Sequence, residues 1–193
     1  MPSPNPKPKS ISPPPFPSKA HRMSYRIGRG EQGVLTFEPY KSSILPLWRF
    51  KTAAMARGSS KQIYERFETY DADDDFVGMD MCRKFLQMGM TRAKRYANHA
   101  GGRKYDKVTG EELEKSDTHP GASEKLEASL IFRDVWEKAR KHEGYIDKKA
   151  RFMAEQKEWD KEEKAKAKAN GEEEKGLSAD IIMAGKPDFW DSY

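Results

Sequence analysis

The chain has 193 residues, of which 36% are hydrophobic and 35% charged, with 36 Lys or Arg against 31 Asp or Glu and a formal net charge of +5. With a mean hydropathy of −0.97, only part of it can bury a core, which suggests one domain plus tails. A single cysteine, Cys82, excludes an intrachain disulfide framework and points to a reducing compartment, cytoplasmic or nuclear. No apolar run of about 18 residues is present to span a membrane, and the N-terminus lacks the apolar core of a secretory signal.

Residues Met1–Ala20 hold most of the prolines and almost nothing that could enter a core. They read as a disordered, polyproline-like tail over residues 1–22, able to dock on an aromatic groove of a protein partner. Tyr25–Phe37, YRIGRGEQGVLTF, contains Gly28-x-Gly30-x-x-Gly33. A dinucleotide fingerprint needs that spacing between a strand and a helix, whereas here Val34–Phe37 follow and are strand-like. A small β element with a tight turn is the expectation. Trp48 and Phe50 look like core anchors. Thr52 is a plausible N-cap for a helix reaching Tyr70, disturbed at Gly58, with Ser59-x-x-Gln62 as a second capping box. Ile63, Tyr64, Phe67 and Tyr70 form its apolar face.

The stretch Asp75–Tyr105 is the organising element. Asp75 is a good N-cap, no proline interrupts Phe76–His99, and Gly101-Gly102 ends the helix. Steps of about 100° per residue put Cys82, Phe85, Leu86, Gly89, Met90, Ala93, Tyr96 and Ala97 on one apolar face. Gly89, Ala93 and Ala97 are small and four apart, so another element can pack close. Asp80, Arg83, Gln87, Thr91, Lys94 and Asn98 fall on the opposite face, read as wet. Between them runs a basic edge, Lys84, Met88, Arg92, Arg95 and His99, continued past the helix by Arg103, Lys104 and Tyr105. The segments IGRGEQGVLTFEPYKS, LPLWRFKT and DFVGMDMCRKFLQMGMTRAKRYANHAGGRKYD resemble the family known as domain of unknown function 4385, from about Tyr25 to about Phe152. The resemblance implies a small cytoplasmic protein and brings no catalytic residues with it. The head and the tail after about Trp159 look like additions peculiar to this chain.

Lys104–Glu111 reads as a small hairpin with Gly110 at the positive-φ position. Ser123 can cap a helix to about His142, with Leu126, Leu130, Ile131, Val135, Trp136 and Ala139 on its apolar face. Gly144 separates it from a last helix in which Tyr145, Phe152 and Trp159 recur every seven residues as a packing seam, within the domain or against a protein partner. Lys161–Lys175 is a solvated helix or disordered, and Pro187–Tyr193 an acidic aromatic end. The expected architecture is mainly α (α+β): a compact helical domain over residues 23–159, with a small N-terminal β element and a charged, flexible tail over 160–193.

The chemistry is a matter of charge. His21, His99, His119 and His142 have no ligand-spaced partners, so no metal site and no cofactor is expected. No serine or cysteine stands in a nucleophile context. Ten Lys or Arg in residues 1–60 face only Glu31 and Glu38, and eight between Phe76 and Lys107 face only Asp80 and Asp106, an arrangement that suits an anionic partner. The best reading is a phosphoanion or nucleic-acid binding module using Arg92, Arg95, His99, Arg103 and Lys104, with Tyr96 and Tyr105 as stacking rings and Lys84 and Arg29 at the margin. Arg92 could instead be a structural ion pair with Glu38 or Glu65. Two alternatives stand beside the binding module: an enzyme acting on a small phosphate-bearing substrate, and a structural or protein-interaction domain with no ligand.

Overall fold

The computed structural model describes residues 17–184, with side chains through residue 169. Most of the Pro-rich head and all of the Pro187–Tyr193 end, whose readings are given above, lie outside the described residues. By compactness the chain divides into two units, Met1–Ala150 and Arg151–Tyr193.

In the first unit, Ser18 caps the short α1 (Lys19–Ser24), its Oγ accepting from the His21 N–H at 3.2 Å. The next segment corrects the expected β element. Residues 25–28 have no regular structure and 29–37 form successive turns, not strands, with i to i+3 bonds from the N–H groups of Gln32, Val34 and Thr36. Gly30 and Gly33 sit at φ 63° and 79°, so the chain bends every few residues and Val34–Phe37 never becomes an extended run. Side chains also compete for these residues, because the Phe37 ring stacks on His21 and Tyr40. Among the described residues, strand-like pairing is confined to an isolated bridge, Tyr105 to Glu112, in the expected hairpin. There Asp106 Oδ1 accepts from the N–H groups of Val108 and Thr109, and Gly110 takes φ 72°.

After α2 (Tyr40–Ile44), Thr52 starts α3 (Ala53–Ala72), its hydroxyl accepting from the Met55 N–H at 3.1 Å. Gly58 does not disturb it. Ser59 is no cap; its buried hydroxyl donates to Leu47 O and accepts from the Arg49 N–H, fastening the preceding loop to the helix. Ile63, Tyr64, Phe67 and Tyr70 are buried as their spacing implies. Asp75 caps α4 (Phe76–Asn98), one oxygen accepting from the Gly78 N–H and the other from the Tyr40 hydroxyl at 2.8 Å.

Helices α3, α4 and α5 (Ala122–Lys141) pack on one another, with α4 at the centre. Every residue from Asp75 to Leu86 is buried. The close approach expected at Gly89 occurs: a Cβ there would lie 2.5 Å from the Phe132 ring of α5. At Gly78, the same test places the Tyr70 ring of α3 2.3 Å away. The buried face of α5 differs from the expected one. Ala122, Ala128, Ser129, Phe132 and Ala139 are buried, while Leu126 and Leu130 are 38% and 40% exposed. Small side chains let α5 settle on α4, and Ser129 Oγ donates to Met90 O at 2.9 Å. Its N-cap is Gly121 at φ 83°, not Ser123. The break before α6 (Glu143–Ala184) falls at His142, and Gly144 lies inside that helix against the Asp71 carboxylate. Lys148 then pairs with Asp71 at 2.5 Å.

In the second unit the chain continues as helix. Phe152 is buried and Trp159 half-buried, and the residues from Lys161 through Ala169 are exposed, as a solvated helix requires. Lys166 pairs with Glu163 at 2.9 Å. Among the described residues, no helix is long and apolar enough to cross a membrane.

The contact at Gly89 makes a sharp prediction. Gly89→Ala should destabilise the protein by about 1–3 kcal/mol, the usual cost of overpacking a tight contact. Gly58→Ala, with open space around the new methyl, should be neutral or slightly stabilising. Urea midpoints for the two variants check this.

Candidate anion-binding sites

The basic edge separates into three parts once the helix is in place. Lys84 and His99 leave the surface, at 0% and 4% exposure. Lys84 Nζ donates to Gln32 O at 2.8 Å, stands 3.7 Å from Asp80, and lies 4.7 Å from the Tyr25 ring centre. Lys104 stays partly exposed but is engaged, pairing with Glu112 at 3.4 Å across the hairpin and donating to the Tyr105 hydroxyl at 3.1 Å. Arg95, Arg103 and Arg29 are exposed and Arg92 is half-buried.

The alternative reading of Arg92 as an ion pair with Glu38 or Glu65 is not what these carboxylates do. Glu38 pairs with Lys41, and Glu65 stands 3.9 Å from Lys61. Tyr105 is 52% exposed, with Lys104 Nζ 4.9 Å from its ring centre. Tyr96 is less available, because Gly102 lies against its ring and Phe50 packs edge-on at 5.8 Å.

A second cluster was missed, on the face read as wet. Asp80 is 0% exposed and Arg83 9%. The Asp80 carboxylate accepts from Tyr25 Oη at 2.5 Å, Tyr145 Oη at 2.7 Å and Arg83 Nε at 2.7 Å. The N-terminal part of this face is dry because the turns after Tyr25 and the first turns of α6 cover it, whereas Gln87, Thr91 and Asn98 are half-buried and Lys94 is exposed. Thr91 adds a bond to Glu31 at 2.8 Å, and Arg83 a long one to Gly30 O at 3.4 Å. Burial pushes the Asp80 carboxyl up, but the Arg83 guanidinium and the three donors outweigh it and hold it below its ordinary range. Burial also pushes up the Tyr25 and Tyr145 hydroxyls, reinforced by the Asp80 charge, so both remain protonated donors. Burial lowers Lys84, with Asp80 opposing. The sequence did carry a signal here: Asp80-x-x-Arg83-Lys84 stands inside a run of apolar residues where a solvated face should be richer in charge.

Beside this cluster a cleft of about 370 Å³ opens, lined by Gly28, Gly30, Arg83, Arg140, Tyr145 and Lys149 among others. The lining has no carboxylate. Arg140 stacks on Trp136 at 4.5 Å. Among the described residues no three His, Cys, Asp or Glu gather as a metal site.

A family model described as Domain of unknown function (DUF4385) matches residues 15–157. The chain belongs to this family. No curated protein and no solved structure matches it. The DUF4385 match spans both the Asp80 cluster with its cleft and the basic end of α4.

In this DUF4385 domain, Asp80→Asn should cost about 3–5 kcal/mol, because it leaves Arg83 and Lys84 without a buried counter-charge. The pH dependence has a definite sign. A carboxyl held below its unfolded value stabilises the fold above that unfolded value, and the contribution is lost as pH falls through the folded one. Chemical denaturation of the parent should therefore show stability falling steeply below about pH 4. D80N should start lower and have a flatter acid limb.

Proposed function

We propose that this DUF4385 protein is a phosphoanion or nucleic-acid binding module whose polyanion-contacting face is the C-terminal end of α4 and the segment that follows it. The carrying observation is the placement of Arg95 and Arg103. Both are exposed, on either side of the Gly101-Gly102 turn, and among the described residues neither makes an ion pair, though the Asp106 carboxyl, lowered first by the Thr109 and Val108 N–H groups, is lowered further by the Arg103 charge. Compensation of the helix dipole accounts for Arg95 alone, since Arg103 follows the helix. Arg92 stands one turn back, and the exposed Tyr105, once Lys104 moves off its ring, can stack on a base. A single buried cysteine fits work in the cytoplasm or nucleus.

With Lys84 and His99 buried and Lys104 paired, about three phosphate contacts remain. The slope of log K against log[salt] should then be roughly −2 on single strands and about −3 on duplex. Fluorescence anisotropy with labelled single-stranded and duplex oligonucleotides measures it. Arg95→Glu with Arg103→Glu should weaken binding at least about tenfold, with an unchanged melting temperature. No binding to either oligonucleotide at low salt would end this reading. The enzyme alternative draws its support from a different place, the cleft beside Asp80.

A further inference from the structure

Arg83 of α4 is far in sequence from Arg140 and Lys149, which stand on the consecutive helices α5 and α6, yet all three line one cleft that has no acidic lining residue. Their state of pairing differs in an informative way. Arg83 is held at all three nitrogens: Nε meets Asp80 at 2.7 Å, Nη1 donates to Gln87 Oε1 at 3.0 Å and Nη2 makes the long bond to Gly30 O, which leaves the second N–H of each terminal nitrogen. That arrangement fixes the guanidinium plane from behind. Arg140 rests its guanidinium on the Trp136 ring, a contact that orients the group without using its N–H donors. Lys149 is half-buried, and among the described residues it has no hydrogen bond or ion pair. Unneutralised cations sharing one concave site repel each other unless an anion sits between them.

The backbone opposite repeats the pattern. Gly28 and Gly30 line the same cleft, and Gly30 adopts φ 63°. Among the described residues, the N–H groups of Gly28, Arg29 and Gly30 donate to no protein acceptor. Consecutive N–H donors in a turn containing a left-handed residue can cradle an anion. The turn is held in place by bonds to α4 from Lys84, Arg83 and Thr91. It is not the strand-to-helix loop of a dinucleotide fold, and it needs no helix N-terminus to act as a donor.

We propose that this cleft is a binding site for a small phosphoanion, the phosphate or diphosphate end of a metabolite. Arg140 and Lys149 supply the charge, Arg83 supplies a fixed hydrogen-bonding wall, and the Gly28–Gly30 turn supplies backbone donors. The volume of about 370 Å³ is that of a small-molecule pocket. Ile27 and Ile146 add an apolar wall for the remainder of the ligand. The site is separate from the Arg95/Arg103 surface and does not depend on polynucleotide binding there.

Isothermal titration of the full chain with inorganic phosphate, pyrophosphate and AMP tests the proposal, with sulfate as the comparison anion. Pyrophosphate or AMP should bind one to one, at least about tenfold more tightly than sulfate. Arg140→Glu with Lys149→Glu should lower that affinity at least about tenfold. Arg140→Ala and Lys149→Ala, each removing one charge, should fall between. Because Arg140 is exposed and Lys149 only half-buried, the melting temperature of the single variants should match the parent. Arg95→Glu with Arg103→Glu should leave pyrophosphate affinity unchanged. Absence of saturable binding by all three phosphates at low salt would overturn the site. So would equal affinity in the parent and both single alanine variants, or a loss caused by the Arg95/Arg103 pair instead.

Discussion

One buried carboxylate ties three distant parts of the chain together. Asp80 sits within the central helix, and its two oxygens collect a hydroxyl from Tyr25, a hydroxyl from Tyr145 and a guanidinium from Arg83. The partners lie 55 and 65 residues away for the two tyrosines, and three for the arginine. A charge with no exposure is tolerable only when it is hydrogen-bonded and an opposite charge is at hand. Here both conditions are met, and Lys84 adds a second cation at 3.7 Å. The turns after Tyr25 and the start of α6 are thereby pinned side by side on the Asp80 face of α4.

The same arrangement builds the cleft. Arg83 faces Asp80 with one side and the cleft with the other, and Tyr145 does likewise. The wall of the cleft is thus held by the interior of the protein, while the cations that stay unpaired, Arg140 and Lys149, are at its rim. Charge that serves the fold and charge that stays unpaired are distinguishable by their partners. Lys84, buried on Gln32 O, belongs to the first kind; Arg140, Lys149, Arg95 and Arg103 belong to the second. Composition alone places them in one class.

How much of this was readable beforehand follows from the range of the interactions. Thr52 and Asp75 cap their helices because a cap needs only the next three residues. Gly89 could be singled out because its spacing from Ala93 is local, and Phe132 duly packs there. The β element failed where Gly30 and Gly33 turn a β-branched, apolar run into successive bends. The supposed wet face of α4 failed at Asp80 and Arg83, its N-terminal part, for a longer-range reason. Its covering residues, Tyr25 and Tyr145, come from either end of the domain, and helical periodicity describes α4 only as though it had one neighbour. The residues of the two proposed sites divide the same way: Arg95 and Arg103 were visible as a local run, whereas Arg140 and Lys149 acquire meaning only beside Gly28 and Arg83.

The central claim, that Asp80 couples the Tyr25 segment to the start of α6, is tested most directly by a double-mutant cycle. Tyr25→Phe and Tyr145→Phe each remove one hydroxyl donor to the shared carboxylate and leave the rings in place. If Asp80 joins them, the double variant should depart from the sum of the single variants by about 0.5–3 kcal/mol in unfolding free energy. Additivity within about 0.3–0.5 kcal/mol would mean that the two tyrosines are held independently and that the carboxylate does not organise the fold.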